Sequence, residues 1–183
     1  MTRIFLSLAV LDALALAAAY VVGWISRLRQ GVLHPEDPVY LVHFSLGLSA
    51  AILTLLVHCL IFTYFLGTGR WVKEVGLAYD LPDVPLPRLT RELKRRTFPM
   101  ALAAMLAAIA TAGAGAGAQL QEWPWYVHAA LATLTLLVNG WAFVIEYRNV
   151  RINAGVIEEV MREVDRIRAE RGLPPNAVAL EQE

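Results

Sequence analysis

Tyr40 to Leu66 reads YLVHFSLGLSAAILTLLVHCLIFTYFL, with no Asp, Glu, Lys or Arg anywhere in it. A helix needs about 20 apolar residues to cross a hydrocarbon layer of ~30 Å, and this run is longer than that. It nevertheless holds two histidines, His43 and His58. Ionisable groups inside a span are rare and mark sites of function until shown otherwise. The stretch therefore places the chain in the membrane class and locates the chemistry to be explained.

The rest of the chain agrees. Of its 183 residues, 57% are apolar and 17% charged, and the formal net charge is zero. Ordinary globular domains run near half apolar and about a quarter charged. Three more apolar runs accompany the first, giving spans at about 4–24, 40–66, 99–120 and 127–147. The first resembles a signal peptide in its Met-Thr-Arg opening, but it is as long as a full span and contains Asp12, so it is read as a retained helix. The third is built almost wholly of Ala and Gly, with Gly113 and Gly117 on one face; small residues let helices pack closely in lipid. Trp123, Trp125 and Tyr126 form an interfacial aromatic belt before the fourth.

Lys and Arg fix the orientation. Seven lie between residues 67 and 98 and six after residue 147, against two in the first connection and none in the third. The positive-inside rule then predicts an inner-membrane protein with both termini and the long connection 67–98 in the cytoplasm. The expected fold is all-α: a four-transmembrane-helix, up-down bundle (residues 1–150), followed by a cytoplasmic amphipathic helix and a disordered tail (151–183). Ile157, Val160, Met161, Val164 and Ile167 supply that helix's apolar stripe. Gly67-Thr-Gly69 is expected to end the second span, and Gly172 with Pro174 and Pro175 the last helix. The basic stretch Arg88–Arg96 reads as a topology anchor near anionic lipid.

Depth can be compared at ~1.5 Å per helical residue. His43 and His128 both stand near the outer start of spans that run parallel, so they lie at one depth. A helical face from His43 through Gly47 and Ala50 to Thr54 is lined by small side chains. Histidines on neighbouring helices with small residues between them suit the axial ligation of a b-type haem. The same pair also suits another metal ion, or two interfacial imidazoles with no ligand. His58 lies roughly 22 Å deeper. Asp12, His58 and Asn139 are each about 12 Å from the cytoplasmic surface, an expected polar layer that either relays protons, binds a quinone headgroup or fixes helix register. Glu146, at the inner border, is expected to pair with Arg148 or the basic connection. Asn149 and Asn153 are expected to flank the exit helix, and Tyr64 and Thr68 to form an interface turn.

Cys59 is the one cysteine, which excludes an intramolecular disulfide and multi-cysteine zinc sites. No nucleic-acid signature, Walker loop, HExxH or GxSxG motif is present. Without an inverted repeat or a pair of half-helices, a transporter is disfavoured. Two functions remain. One is a small redox subunit holding haem b and exchanging electrons with quinone or a membrane complex. The other is a non-catalytic anchor or assembly subunit that docks a cytoplasmic partner through its C-terminal helix.

Overall fold

The computed structural model describes residues 1–30, 33–34, 36–82 and 85–176, and within them the chain is all-α with no strand. Four helices account for nearly all of it: α1 (Thr2–Leu28), α2 (Pro38–Ala78), α3 (Leu86–Gln119) and α4 (Trp125–Glu170). Each contains a stretch long and apolar enough to cross a membrane. α1 packs on α2 and α4, and α3 packs on α2 and α4. Contacts between residue 19 and residue 43, and between 97 and 149, show successive helices running antiparallel. α2 and α4 run parallel, since His43 meets His128 at one end and Tyr64 meets Asn153 towards the other.

The polarity is inverted relative to a water-soluble domain. Leu14, Ile52, Leu106, Leu137 and Val144 are exposed, whereas Asp12, Thr54, His58, Asn139, Glu146 and Asn153 are fully enclosed. Apolar side chains outside and polar ones within suit a hydrocarbon solvent, where backbone and side-chain polar groups must find partners inside the protein.

All four helices are longer than the expected spans, and three of them run well beyond. α2 does not stop at Gly67-Thr-Gly69 but continues to Ala78. α3 begins at Leu86, ahead of the basic stretch, and carries Pro99 in its interior. α4 passes without a break through residue 150 to Glu170. At 41 residues α2 is about 60 Å long, twice the hydrocarbon thickness. Packing explains why the helices continue. Val72, in the extension of α2, is buried with Val156, Val160 and Val164 of α4, flanked by Trp71, Val75 and Leu86. Gly69 lies beneath the Lys94 side chain, where a Cβ would come within 3.3 Å of Nζ. A glycine pair costs a helix about 1 kcal/mol per residue, which burial of this valine cluster outweighs.

All four helices leave through a residue with positive φ: Gln30, Asp80, Gln121 and Gly172. After α2, α3 and α4 the next amide reaches back five residues, as in Leu81 N–H to Gly76 O at 2.8 Å, the Schellman closure. Gly172 stands where expected, and the other three stops use residues that enter the left-handed region less readily. The start of α2 is capped by the Asp37 carboxylate, which accepts from Val39 N–H at 2.7 Å and pairs with Arg29. The expected disordered tail lies largely outside the described residues, as does Pro35.

Candidate functional site

His43 of α2 and His128 of α4 face each other, with ring centres 6.0 Å apart and planes inclined by 69°. Each imidazole is held by a backbone carbonyl: His43 Nδ1 donates to Ala19 O at 3.1 Å, and His128 Nδ1 donates to Thr111 O at 3.0 Å. A carbonyl can only accept, so the proton sits on Nδ1 of both rings and both Nε2 lone pairs are left for another partner. This orientation and tautomer are those of a metal-ligating histidine.

Two glycines permit the arrangement. A Cβ on Gly23 would fall 2.7 Å from His43 Cε1, and one on Gly115 would fall 3.0 Å from His128 Cε1. Each ring thus lies against the bare backbone of the helix that also supplies its carbonyl, α1 for His43 and α3 for His128. The sequence reading chose Gly47 and Ala50 instead. Both line the cavity described next; Ala50 is buried, and a Cβ at Gly47 would meet nothing within 4 Å. The tight glycines were missed because they lie on the two helices that carry no histidine.

The histidines open onto a cavity of about 310 Å³ between the helices. That volume is at the lower end of the range for ligand sites, roughly 300–1,000 Å³. Ala51, Ala108, Ala112 and Ala132 form much of its wall, and Trp24, Arg27, Gln119 and Trp125 line it at the end near the short connections. There Trp24 meets Trp125 edge to face at 5.9 Å, and Tyr20 shares a hydrogen bond with Thr133 at 3.0 Å, joining α1 to α4.

The second site is the buried polar layer. His58 is enclosed between two oxygens: Nδ1 is 2.8 Å from Glu146 Oε1 and Nε2 is 2.9 Å from Asn139 Oδ1. Asn139 is oriented by its own amide, which donates to Thr135 O at 2.8 Å, so its oxygen faces the ring. Phe143 stacks on the imidazole at 5.4 Å. Neutral histidine has one N–H and cannot satisfy both contacts beside a carboxylate. The pair therefore holds a second proton, either on the ring or on Glu146. Asp12 joins the layer through Thr54, whose hydroxyl donates to it at 3.0 Å, and makes no hydrogen bond to His58.

Glu146 corrects the sequence reading. It is not a border residue paired with Arg148 or the basic connection; it is fully buried and bonded to His58. Asn149 and Asn153 are likewise interior: Asn149 donates to Thr97 at 2.9 Å, and Asn153 to Tyr64 at 3.1 Å and Thr68 at 3.0 Å. A signal for this was present. Asn139, Glu146 and Asn153 are spaced by seven, as are His128 and Thr135, so one seam of α4 carries them all.

The two sites are connected through Thr135 of α4 and Thr111 of α3. Asn139 bonds the Thr135 carbonyl, the Thr135 and Thr111 hydroxyls lie 2.7 Å apart, and the Thr111 carbonyl receives His128. Among the described residues no group of three or more His, Cys, Asp or Glu is arranged to hold a metal ion, and His34 is exposed beside Glu36 at 3.8 Å. Cys59 is exposed on the outer surface of α2. Comparison with protein-family models, with curated proteins and with solved structures finds no match.

Proposed function

We propose that the chain is a small b-type haem protein of the cell membrane, with His43 and His128 as axial ligands, serving electron transfer to or from quinone or a membrane redox complex. The observation that carries this reading is the pair of imidazoles 6.0 Å apart, each with Nδ1 bonded to a backbone carbonyl. With imidazole–metal bonds of ~2 Å on both sides, and the ring radius added, two ligating rings have centres roughly 6 Å apart. Two protein ligands alone are too few for a structural zinc site, which takes four. They suffice for an iron that brings four equatorial nitrogens of its own, and the small-residue wall leaves space for a flat macrocycle.

Haem iron supplies one-electron chemistry when bound, and the residues around it have separate tasks. Ala19 O and Thr111 O fix the tautomer and aim each ring. Gly23 and Gly115 let the rings recede against the backbone. The His58–Glu146 pair, with its shared proton, gives the interior a group that can take up or release charge as the redox state changes. Glu146 Oε2 and Asp12 Oδ2 are buried and have no hydrogen-bond donor among the described residues, which suits waters or a mobile proton beside them.

The four helices would form a transmembrane bundle in the inner membrane, with both termini and the α2–α3 turn in the cytoplasm. The competing reading, an anchor that docks a partner through the end of α4, has less support. Val160 and Val164, on which such a stripe depends, are already covered by α2.

The test is a visible spectrum of the full-length protein purified in detergent after expression with ample haem. The proposal expects a sharp reduced-minus-oxidised band and one haem per chain. A colourless protein that also fails to take up added haem would overturn it.

A further inference from the structure

One cavity-lining side chain is unused by the haem ligation itself. Among the described residues Arg27 is the single permanently charged one on the cavity wall. It lies one turn beyond Gly23 on the same face of α1, and Gly23 is the residue against which His43 rests. Its guanidinium is held over the Trp125 ring, 4.7 Å from the centroid, so α1 and α4 together fix the charge at the mouth.

Among the described residues this cation is not engaged by a carboxylate. Asp37, at the same end of the molecule, is bound by Arg29 at 2.9 Å and by the Val39 amide at 2.7 Å. Among the described residues Arg27 makes no ion pair and no side-chain hydrogen bond. Arg29 and Arg27, two residues apart, thus divide the work: one closes the start of α2, the other faces the cavity. A planar fork of donors at the rim of an otherwise apolar chamber is suited to a carboxylate.

We infer that Arg27 binds the propionate carboxylates of the haem, placing the acidic edge of the macrocycle towards the short-connection end between α1 and α4, with Trp125 holding the guanidinium in place. This rests on the haem reading above. Haem b is apolar over most of its surface and anionic at one edge, and the cavity has the same division: alanine and glycine within, one cation with Ser26 and Gln119 at the mouth. The inference fixes which way the cofactor enters and which end of the protein its charge faces.

The experiment compares haem with haem dimethyl ester, in which both propionates are uncharged. Full-length haem-free protein in detergent is titrated with each, for wild type, Arg27→Gln and Arg27→Lys. Charge-assisted pairing predicts that wild type binds haem roughly tenfold or more tighter than the ester. Arg27→Gln should bind the two within about twofold of each other, at the ester affinity of wild type, which also reports that the variant is folded. Arg27→Lys, a point charge without the fork, should keep an intermediate preference, and it decides the matter if the glutamine variant does not fold. Full preference retained in either variant, or no preference in wild type, overturns the assignment; the latter is the result expected if Arg27 instead serves a lipid phosphate. Wild type that binds both porphyrins equally, with a spectrum lost in His43→Ala, overturns the Arg27 assignment alone. Wild type that binds neither overturns the haem reading beneath it.

Discussion

A methyl group on Gly23 would stand 2.7 Å from the His43 ring, and one on Gly115 3.0 Å from the His128 ring, distances at which the imidazole must move. Gly23→Ala should therefore lower haem occupancy severalfold in protein that still folds, and Gly115→Ala should do so less, as read from haem-to-protein absorbance ratios. Equal occupancy in both variants and wild type would show that the rings have room to spare. A different cost attaches to the buried pair. Removing one member of this buried hydrogen-bonded pair leaves the other without its partner, at a cost of roughly 3 kcal/mol, so Glu146→Ala and His58→Ala should each lower thermal stability sharply. The double variant should lose clearly less than the two effects added together, because the groups act as a unit; strict additivity would deny the contact. At this scale the sequence was only partly readable. Depth matching placed His43 with His128 and His58 with Asn139, since 1.5 Å per residue is reliable within a span. It misplaced Glu146, because depth was counted from a span end that is not a helix end.

That error belongs to the helices as elements. Hydropathy reports where lipid is expected to stop, not where hydrogen bonding stops, and α2, α3 and α4 all run past the apolar limit. The turn signals were correctly recognised at Gly172 and wrongly trusted at Gly67 and Gly69. What separates them is tertiary: Val72 beyond Gly69 has a valine cluster to enter, whereas Gly172 is followed directly by Leu173 and two prolines, which cannot continue a helix. The extension of α2 and the end of α4 thus support each other. Val160→Asp should unzip them, exposing the α2–α3 turn to proteolysis at least several times faster than in wild type. The histidine pair, at the far end of the molecule, should keep its haem spectrum. Loss of that spectrum with the first proteolytic cut would mean that the two ends fold as one unit.

Taken whole, the molecule has an apolar exterior and an interior to which all four helices contribute polar groups, α4 the most. The all-helical fold, with four helices long and apolar enough to cross a membrane, was legible from composition and run length. The cavity was not legible, because it is made by the spacing between helices and by glycines that only contact identifies. Its two imidazoles remain the centre of the account, and haem titration of four full-length proteins tests it most directly: wild type, His43→Ala, His128→Ala and His34→Ala. Wild type and His34→Ala should each take up one haem with a six-coordinate, low-spin spectrum, and either of the other two should lose that spectrum. An unchanged spectrum in His43→Ala or in His128→Ala would contradict it.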